Sequence, residues 1–339
     1  MSALEPAPQG AGPGGAPPKG GAVNLRALPG ALLDRPLIML AIVFVLLLFV
    51  AEIVSPGYIS GDQVGTILRF AAPLAILAAG QTLVMLTGGI DLSVANTATA
   101  SAYIMAGQGS QGTGRAVVIG LGVGLVIGLV NGIGVGVFNV NPLIMTLGMA
   151  SIVIGLLTVE AQSFVTGVPL VPTEVRDLAA TNLVGDIPAN LLLWAPLAIL
   201  ILLGLRYSGY GRMLYAIGDN REAVWLAGVR SWQVLVVVYA LCGMFAAVAG
   251  IMLVGLTNAA DLGLANDYLL PSVAAVVIGG TSIFGGVGGY AGTIMGALIL
   301  TLMDSILTLL KAQTSVKQIL YGTIILALAA LYAQSTKRT

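Results

Sequence analysis

The sequence predicts an all-α, polytopic helical membrane protein, and three observations carry that prediction. Of 339 residues, 58% are hydrophobic and 8% charged, against roughly a quarter charged in soluble domains. Mean hydropathy is +1.00, and apolar stretches of about 20 residues recur along the chain, each long enough to cross a hydrocarbon core of roughly 30 Å. Glycine, with 46 residues, interrupts several of these stretches, which a membrane helix tolerates only where protein or a water-filled cavity satisfies the freed backbone groups. The same composition narrows the chemistry. Fourteen Lys and Arg balance 14 Asp and Glu, so no basic field attracts nucleic acid. With no histidine and one cysteine, Cys242, the chain is expected to hold no disulfide, no metal site and no catalytic residue.

Taken in order, residues 1–30 contain 13 Pro or Gly and too little apolar surface to offset backbone ordering, so they read as a disordered cytoplasmic tail. Apolar runs follow at about 36–54, 66–87, 90–106, 116–138, 143–159, 191–205, 234–256, 270–284, 289–309 and 319–332. These predict about ten transmembrane helices in a permease-like domain over 36–333, with a short cytoplasmic tail at 334–339. The first run begins late and lacks a small-residue cleavage site, so it reads as a span and not a secretory signal. A cytoplasmic amino terminus places nine Lys/Arg inside and five outside, in line with the bias of cytoplasmic loops. Both termini are therefore expected in the cytoplasm.

The sharpest interruption is LTGGIDLSVAN at 86–96. A carboxylate at a span centre costs about 2.5 to 3.5 kcal/mol on insertion scales, less if it caps a helix start or faces water. Gly88 and Gly89 are read as ending one helix, with Asp91 or Ser93 capping the next. A capped half-helix can also line a substrate path, and Gln81, Thr87, Asp91, Ser93 and Asn96 are the candidate path residues here. In the next-but-one run, Gly120, Gly124, Gly128, Gly132 and Gly136 repeat every four residues, predicting a smooth face for close helix packing. Asn131 on that helix is a candidate for an interhelical hydrogen bond.

Between spans six and seven, residues 208–229 predict a short amphipathic helix over about 219–228. Asp219 or Asn220 serves as N-cap, Arg221 and Glu222 open the first turn, Ala223, Leu226 and Ala227 share a face, and Gly228 stops the helix. Such a helix can lie on a membrane surface or dock a partner. A second glycine cluster, VIGGTSIFGGVGG at 277–289, predicts a tight turn or re-entrant break, with Thr281 and Ser282 as further path candidates. No lysine follows a glycine-rich stretch in G-x-x-x-x-G-K-[ST] spacing, so the chain carries no recognisable P-loop.

Four ordered segments, LTGGIDLSVA at 86–95, NPLIMTLGMASIVIGL at 141–156, YSGYGRMLYAIGDNREAVWLAGV at 207–229 and AAVVIGGTSIFGGVGGYAGTIMGALIL at 274–300, carry a resemblance that runs from about 36 to 333. The sequence resembles the permease subunits of ribose-type ATP-binding-cassette sugar importers, in the larger permease group that also serves branched-chain amino acids. The resemblance implies a type II importer-like permease in a prokaryotic cell membrane, paired with a second permease copy and embedded in lipid. It implies two cytoplasmic ATPase subunits that hold the ATP and Mg, and an extracytoplasmic binding protein that delivers a sugar. It also implies that the helix at Asp219, Asn220, Arg221, Glu222, Ala223 and Gly228 is the coupling helix. The chain departs from the group's pattern where Arg221 precedes Glu222, where Trp225 replaces a basic residue, and at MDSILTLLK over 303–311, a segment usually rich in Asn and Gly. An ion-coupled secondary transporter of a small polar solute, or a permease for a branched-chain amino acid or nucleoside, are the alternatives on the residues alone.

Overall fold

The computed structural model describes residues 36–164 and 170–336; the predicted tail at 1–30 and residues 337–339 lie outside them. The elements in order are α1 (Pro36–Val54), α2 (Gly61–Leu86), α3 (Val94–Gly107), α4 (Thr113–Gly136), α5 (Pro142–Phe164) and α6 (Thr173–Ala180). A hairpin follows, β1 (Asn182–Val184) and β2 (Ile187–Pro188), then α7 (Leu191–Tyr207), α8 (Gly209–Asp219) and α9 (Arg221–Leu226). The chain continues through α10 (Ser231–Thr257), α11 (Leu269–Ile278), α12 (Tyr290–Leu309) and α13 (Thr314–Thr336).

Each of the ten apolar runs contains a helix, but not each helix is a full span. Among the described residues, six are long and apolar enough to cross a membrane, or seven if α7 and α8, bent by 69°, count as one. At 1.5 Å per residue, the 14 residues of α3 cover only about 21 Å, and the 10 of α11 about 15 Å. Glycine breaks cut α3 and α11 short, and α7 stops at the bend after Tyr207, so the count of apolar runs exceeds the count of spanning helices. The hairpin is a second departure from the all-α expectation. Its two short strands pair antiparallel, Val184 opposite Ile187, through a turn with Gly185 at φ 55; strands this short leave no periodic signal to read.

Successive helices run back and forth, so the connections gather at two ends. One, the glycine end, holds 87–93, 137–141, 208–230 and 279–289, joined where Arg221 Nη2 donates to Asn139 Oδ1 at 2.9 Å and Gly286 N–H donates to the Leu86 carbonyl at 3.1 Å. The other, the hairpin end, holds 55–60, 108–112, 170–190, 258–268 and 310–313. There the Leu170 N–H donates to the Ala106 carbonyl at 3.0 Å, and Asp186 at the hairpin tip sits against Gly61 and Gly65 of α2.

The packing is concentric. In α2 the most apolar window is 83% buried and in α10 it is 67% buried, whereas in α1 it is 6% buried. α10 lies at the centre, packed on α4, α2 and α3, and α1 lies on the rim against α12, where Ala51, Leu302 and Ile306 meet. Phe49 and Ile53 of α1, Ile144 of α5 and Leu200 of α7 are exposed. An apolar belt of that extent suits lipid, not water.

The five glycines of the four-residue repeat in α4 are buried, and four of them face the backbone of α10. A Cβ at Gly124 would overlap the Gly243 carbonyl, one at Gly128 the Tyr239 carbonyl, one at Gly132 would come within 2.7 Å of Val236 Cα, and one at Gly136 within 2.8 Å of the Trp232 oxygen. Gly120 faces α3 instead, 2.9 Å from the Ser101 carbonyl. The four-residue spacing therefore seats one helix backbone directly on another.

Candidate functional site

The first break begins where α2 stops. Gly88, at φ 78, takes a left-handed conformation that glycine adopts without a Cβ penalty, and its N–H donates to the Met85 carbonyl at 2.9 Å. Beyond it the chain is held by side chains. Gln81 donates from Nε2 to the Asp91 carbonyl at 2.9 Å and accepts from the Asp91 N–H at 3.1 Å, replacing both helical partners at once. Thr146 Oγ1 accepts from Leu92 N–H at 3.0 Å. This is how an apolar interior accommodates an irregular segment.

Neither Asp91 nor Ser93 caps α3 as expected. Ser93 stands at the N-cap position with helical φ and ψ and makes no side-chain cap bond. Asp91 Oδ1 instead accepts from Ser93 N–H at 2.8 Å and Ser93 Oγ at 2.6 Å. Its backbone is already fixed by Gln81, so the carboxylate turns back on the next polar residue. Asn131 of α4 donates to Ser93 Oγ at 2.9 Å, and the Cys242 thiol of α10 lies against Gly80, next to Gln81. Among the described residues, Asn131 Oδ1 and Tyr239 Oη in this cluster are buried without a partner.

Replacing Gln81 with leucine strands the buried N–H and C=O of Asp91. At about 1 to 3 kcal/mol for each unsatisfied group, Gln81→Leu is expected to lower the thermal unfolding temperature of the purified protein by several degrees. An unchanged melting curve would show that the clamp contributes nothing.

The second break runs over 279–289, with Gly280, Gly285, Gly286 and Gly288 all at positive φ. Thr281 Oγ1 accepts from Gly289 N–H at 3.2 Å, and Ser282 Oγ accepts from Phe284 N–H at 3.1 Å. Thr87 donates to the Val84 carbonyl at 2.7 Å and Asn96 to the Ala150 carbonyl at 2.9 Å. All seven path candidates thus make hydrogen bonds within the chain, those of Gln81, Asn96 and Thr281 linking residues eight or more positions apart.

The two breaks meet each other and α8. Besides the Gly286 to Leu86 bond, Thr82 Oγ1 and Thr293 Oγ1 lie 2.8 Å apart. Gly218, near the end of α8, sits where a Cβ would overlap the Leu86 carbonyl and the Gly286 nitrogen, and Tyr215 Oη donates to the Gly288 carbonyl at 3.0 Å. α8 itself was not legible, because Ser208-Gly-Tyr-Gly reads as a loop; it starts there since Ser208 Oγ accepts from Gly211 N–H at 2.9 Å.

α9 follows at once. Of the two N-cap candidates Asn220 takes the role, accepting from Ala223 N–H at 2.9 Å, and Gly228 ends the segment at φ 81. The apolar face differs from the expected one. Val224 is the residue that packs inward, Ala223 and Ala227 are exposed, and Trp225 and Leu226 stand 67% and 73% exposed. Asp219 and Glu222 belong to the same exposed corner, with Gly286 of the second break 3.3 Å from Asp219 by the Cβ it lacks.

Apolar helices, two glycine breaks tied to each other through α8, and an exposed α9 following it describe a multi-pass helical membrane protein. The chain belongs to the family described as branched-chain amino acid transport system / permease component, whose model matches residues 63–329. It is 31% identical to the probable ABC transporter permease protein YphD of Escherichia coli (strain K12), over 95% of this chain and 96% of that one. It is 33% identical to the fructose import permease protein FrcC of Rhizobium meliloti over 91% and 88%, and 32% identical to the ribose import permease protein RbsC of Escherichia coli (strain K12) over 84% and 90%. No solved structure matches.

Proposed function

We propose that the chain is the membrane-spanning permease of an ATP-binding-cassette importer for a pentose or hexose. The names of the ribose and fructose relatives support the substrate class. The observation that carries the mechanism is the joint at Gly218, where the segment leading into α9 rests without side chains on the carbonyl of one break and the nitrogen of the other. A push on α9 is transmitted to both breaks, since no flexible side chain intervenes to absorb it.

In this reading the glycine end is cytoplasmic, because Arg206, Arg212, Arg221 and Arg230 lie there and cytoplasmic loops carry the excess of Lys and Arg. Both termini are then cytoplasmic. The chain lacks a P-loop, so ATP and Mg are held by a partner ATPase that docks on α9, and a second permease copy completes the path. ATP-driven closure of the ATPases shifts the population between outward-open and inward-open states. Gln81, Asp91, Ser93 and Thr281 act as ties that let each break move as a unit, and an extracytoplasmic binding protein delivers sugar at the hairpin end.

Trp225 and Leu226 are the anchors expected in the ATPase groove. Truncating a buried interface aromatic costs about 2 kcal/mol or more, so Trp225→Ala with Leu226→Ala should cut recovery of the ATPase on affinity-purified permease by roughly thirtyfold, with normal membrane insertion. Full recovery of the ATPase would reject α9 as its docking element.

A further inference from the structure

A cavity of about 470 Å³ opens at the hairpin end, away from both breaks. Its walls are the first half of α2, the 266–271 segment, the last turns of α12 and the first turns of α13. α12 and α13 are brought together by a tight reversal in which Lys311 takes φ 57 and Ala312 N–H donates to the Leu307 carbonyl at 2.8 Å. That reversal sets Lys317 of α13 beside Asp304 of α12.

The polar groups in the cavity form an ordered set. Lys317 Nζ lies 2.8 Å from Asp304 Oδ1 and donates to Thr308 Oγ1 at 2.9 Å. Its side chain is 17% exposed, so the ammonium is fixed and not sweeping through solvent. Tyr321 Oη also donates to Asp304 Oδ1, at 3.2 Å, and Gln318 Nε2 to Asp267 Oδ1 at 3.4 Å. Among the described residues, the hydrogen bonds and ion pair of the Asp304 and Asp267 carboxylates fall on Oδ1 of each, which leaves both Oδ2 atoms as acceptors. Phe70 and Tyr268 add aromatic surface.

We propose that this cavity is a binding site for a neutral monosaccharide. Three features select that ligand. The volume falls within the range of about 300 to 1,000 Å³ usual for small-molecule sites. Fixed carboxylate oxygens accept hydroxyl protons, and the aromatic surface matches the C–H face of a sugar ring. Two carboxylates against one ammonium leave the cavity negative, which repels sugar phosphates and sugar acids. Its place in uptake, as the first station after the binding protein, rests on the importer reading above; the ligand class rests on the cavity.

Cys242 is buried, so Thr314→Cys puts a single reactive thiol in the cavity wall of the full-length chain. In membrane vesicles its maleimide labelling is measured with D-ribose, D-fructose or D-glucose, and with ribose 5-phosphate as the charged control. A station that passes its ligand on binds weakly; with a Kd near about 10 mM, about 100 mM sugar slows labelling roughly tenfold. The expected result is protection by at least one neutral sugar, none by the phosphate, and loss of protection in Asp304→Asn and, independently of the ion pair, in Tyr268→Ala. No protection by any of the three sugars, equal protection by the phosphate, or protection that survives both substitutions overturns the site. Protection in a protein that fails to import sugar leaves the site standing and overturns the importer reading instead.

Discussion

Gly218→Ala is expected to cut uptake by roughly tenfold or more while leaving the permease inserted and its ATPase bound. The added methyl cannot be absorbed by a rotamer change, because the atoms it meets are the Leu86 carbonyl and the Gly286 nitrogen, themselves joined by a 3.1 Å hydrogen bond. Either α8 moves away or the bond between the breaks opens. Overpacking of this kind costs about 1 to 3 kcal/mol, and here the cost falls on the contact through which α9 acts. Uptake should drop by roughly tenfold or more, with ATPase recovery unchanged because Trp225 and Leu226 are untouched. Gly155→Ala on α5, where a Cβ meets nothing within 4 Å, is the matched control and should transport normally. Equal uptake by the two variants would remove the joint from the mechanism.

Gly128→Leu is expected to have the largest effect on stability. Its Cβ would overlap the Tyr239 carbonyl and lie 2.9 Å from Ala240 Cα, while Gly243 across the contact would itself place a Cβ 2.9 Å from Gly128 Cα. Four extra carbons cannot fit between two backbones, so α4 and α10 must part. Tyr239 and Cys242 on α10 and Asn131 on α4 then lose their positions against Gly89, Gly80 and Ser93, which couples the packing defect to the break. A loss of about 3 kcal/mol or more corresponds to a fall in unfolding temperature of roughly 6 °C or more. Gly122→Leu, on the same helix with nothing within 4 Å of its Cβ, should melt close to the parent. If both leucine variants melt alike, the glycine face is not a packing surface.

Much of this arrangement could be read before the structure, for identifiable reasons. A four-residue glycine repeat admits one geometry, a smooth helix face, so the contact partner was the only missing fact. Asp91 and the paired glycines around it marked a break because a carboxylate and two poor helix formers have few other uses in an apolar run. The chain between Asn220 and Gly228 announced both ends of α9 through residues with strong positional preferences.

What could not be read depends on contacts distant in sequence. Gln81 and Thr281 stand out in the sequence as polar groups at breaks, but the backbone groups they bind are set by the fold. Gln81 meets Asp91 across a turn whose path no local pattern specifies. Val224 rather than Ala223 or Leu226 faces inward because α9 has six residues, too few for helical periodicity to set an orientation. The cavity beside Asp304 and Lys317 joins four separate segments of chain, and the segment 303–311 stood out earlier only as a departure from a pattern.

In the proposed mechanism this chain holds the path and the lever while a partner ATPase supplies the energy. The most direct test reconstitutes it in proteoliposomes with and without its partner ATPase and follows labelled ribose and fructose in the presence of the binding protein. Accumulation should require the ATPase and ATP, and imposed proton or sodium gradients should not replace them. Accumulation by the chain alone under an ion gradient would contradict this mechanism.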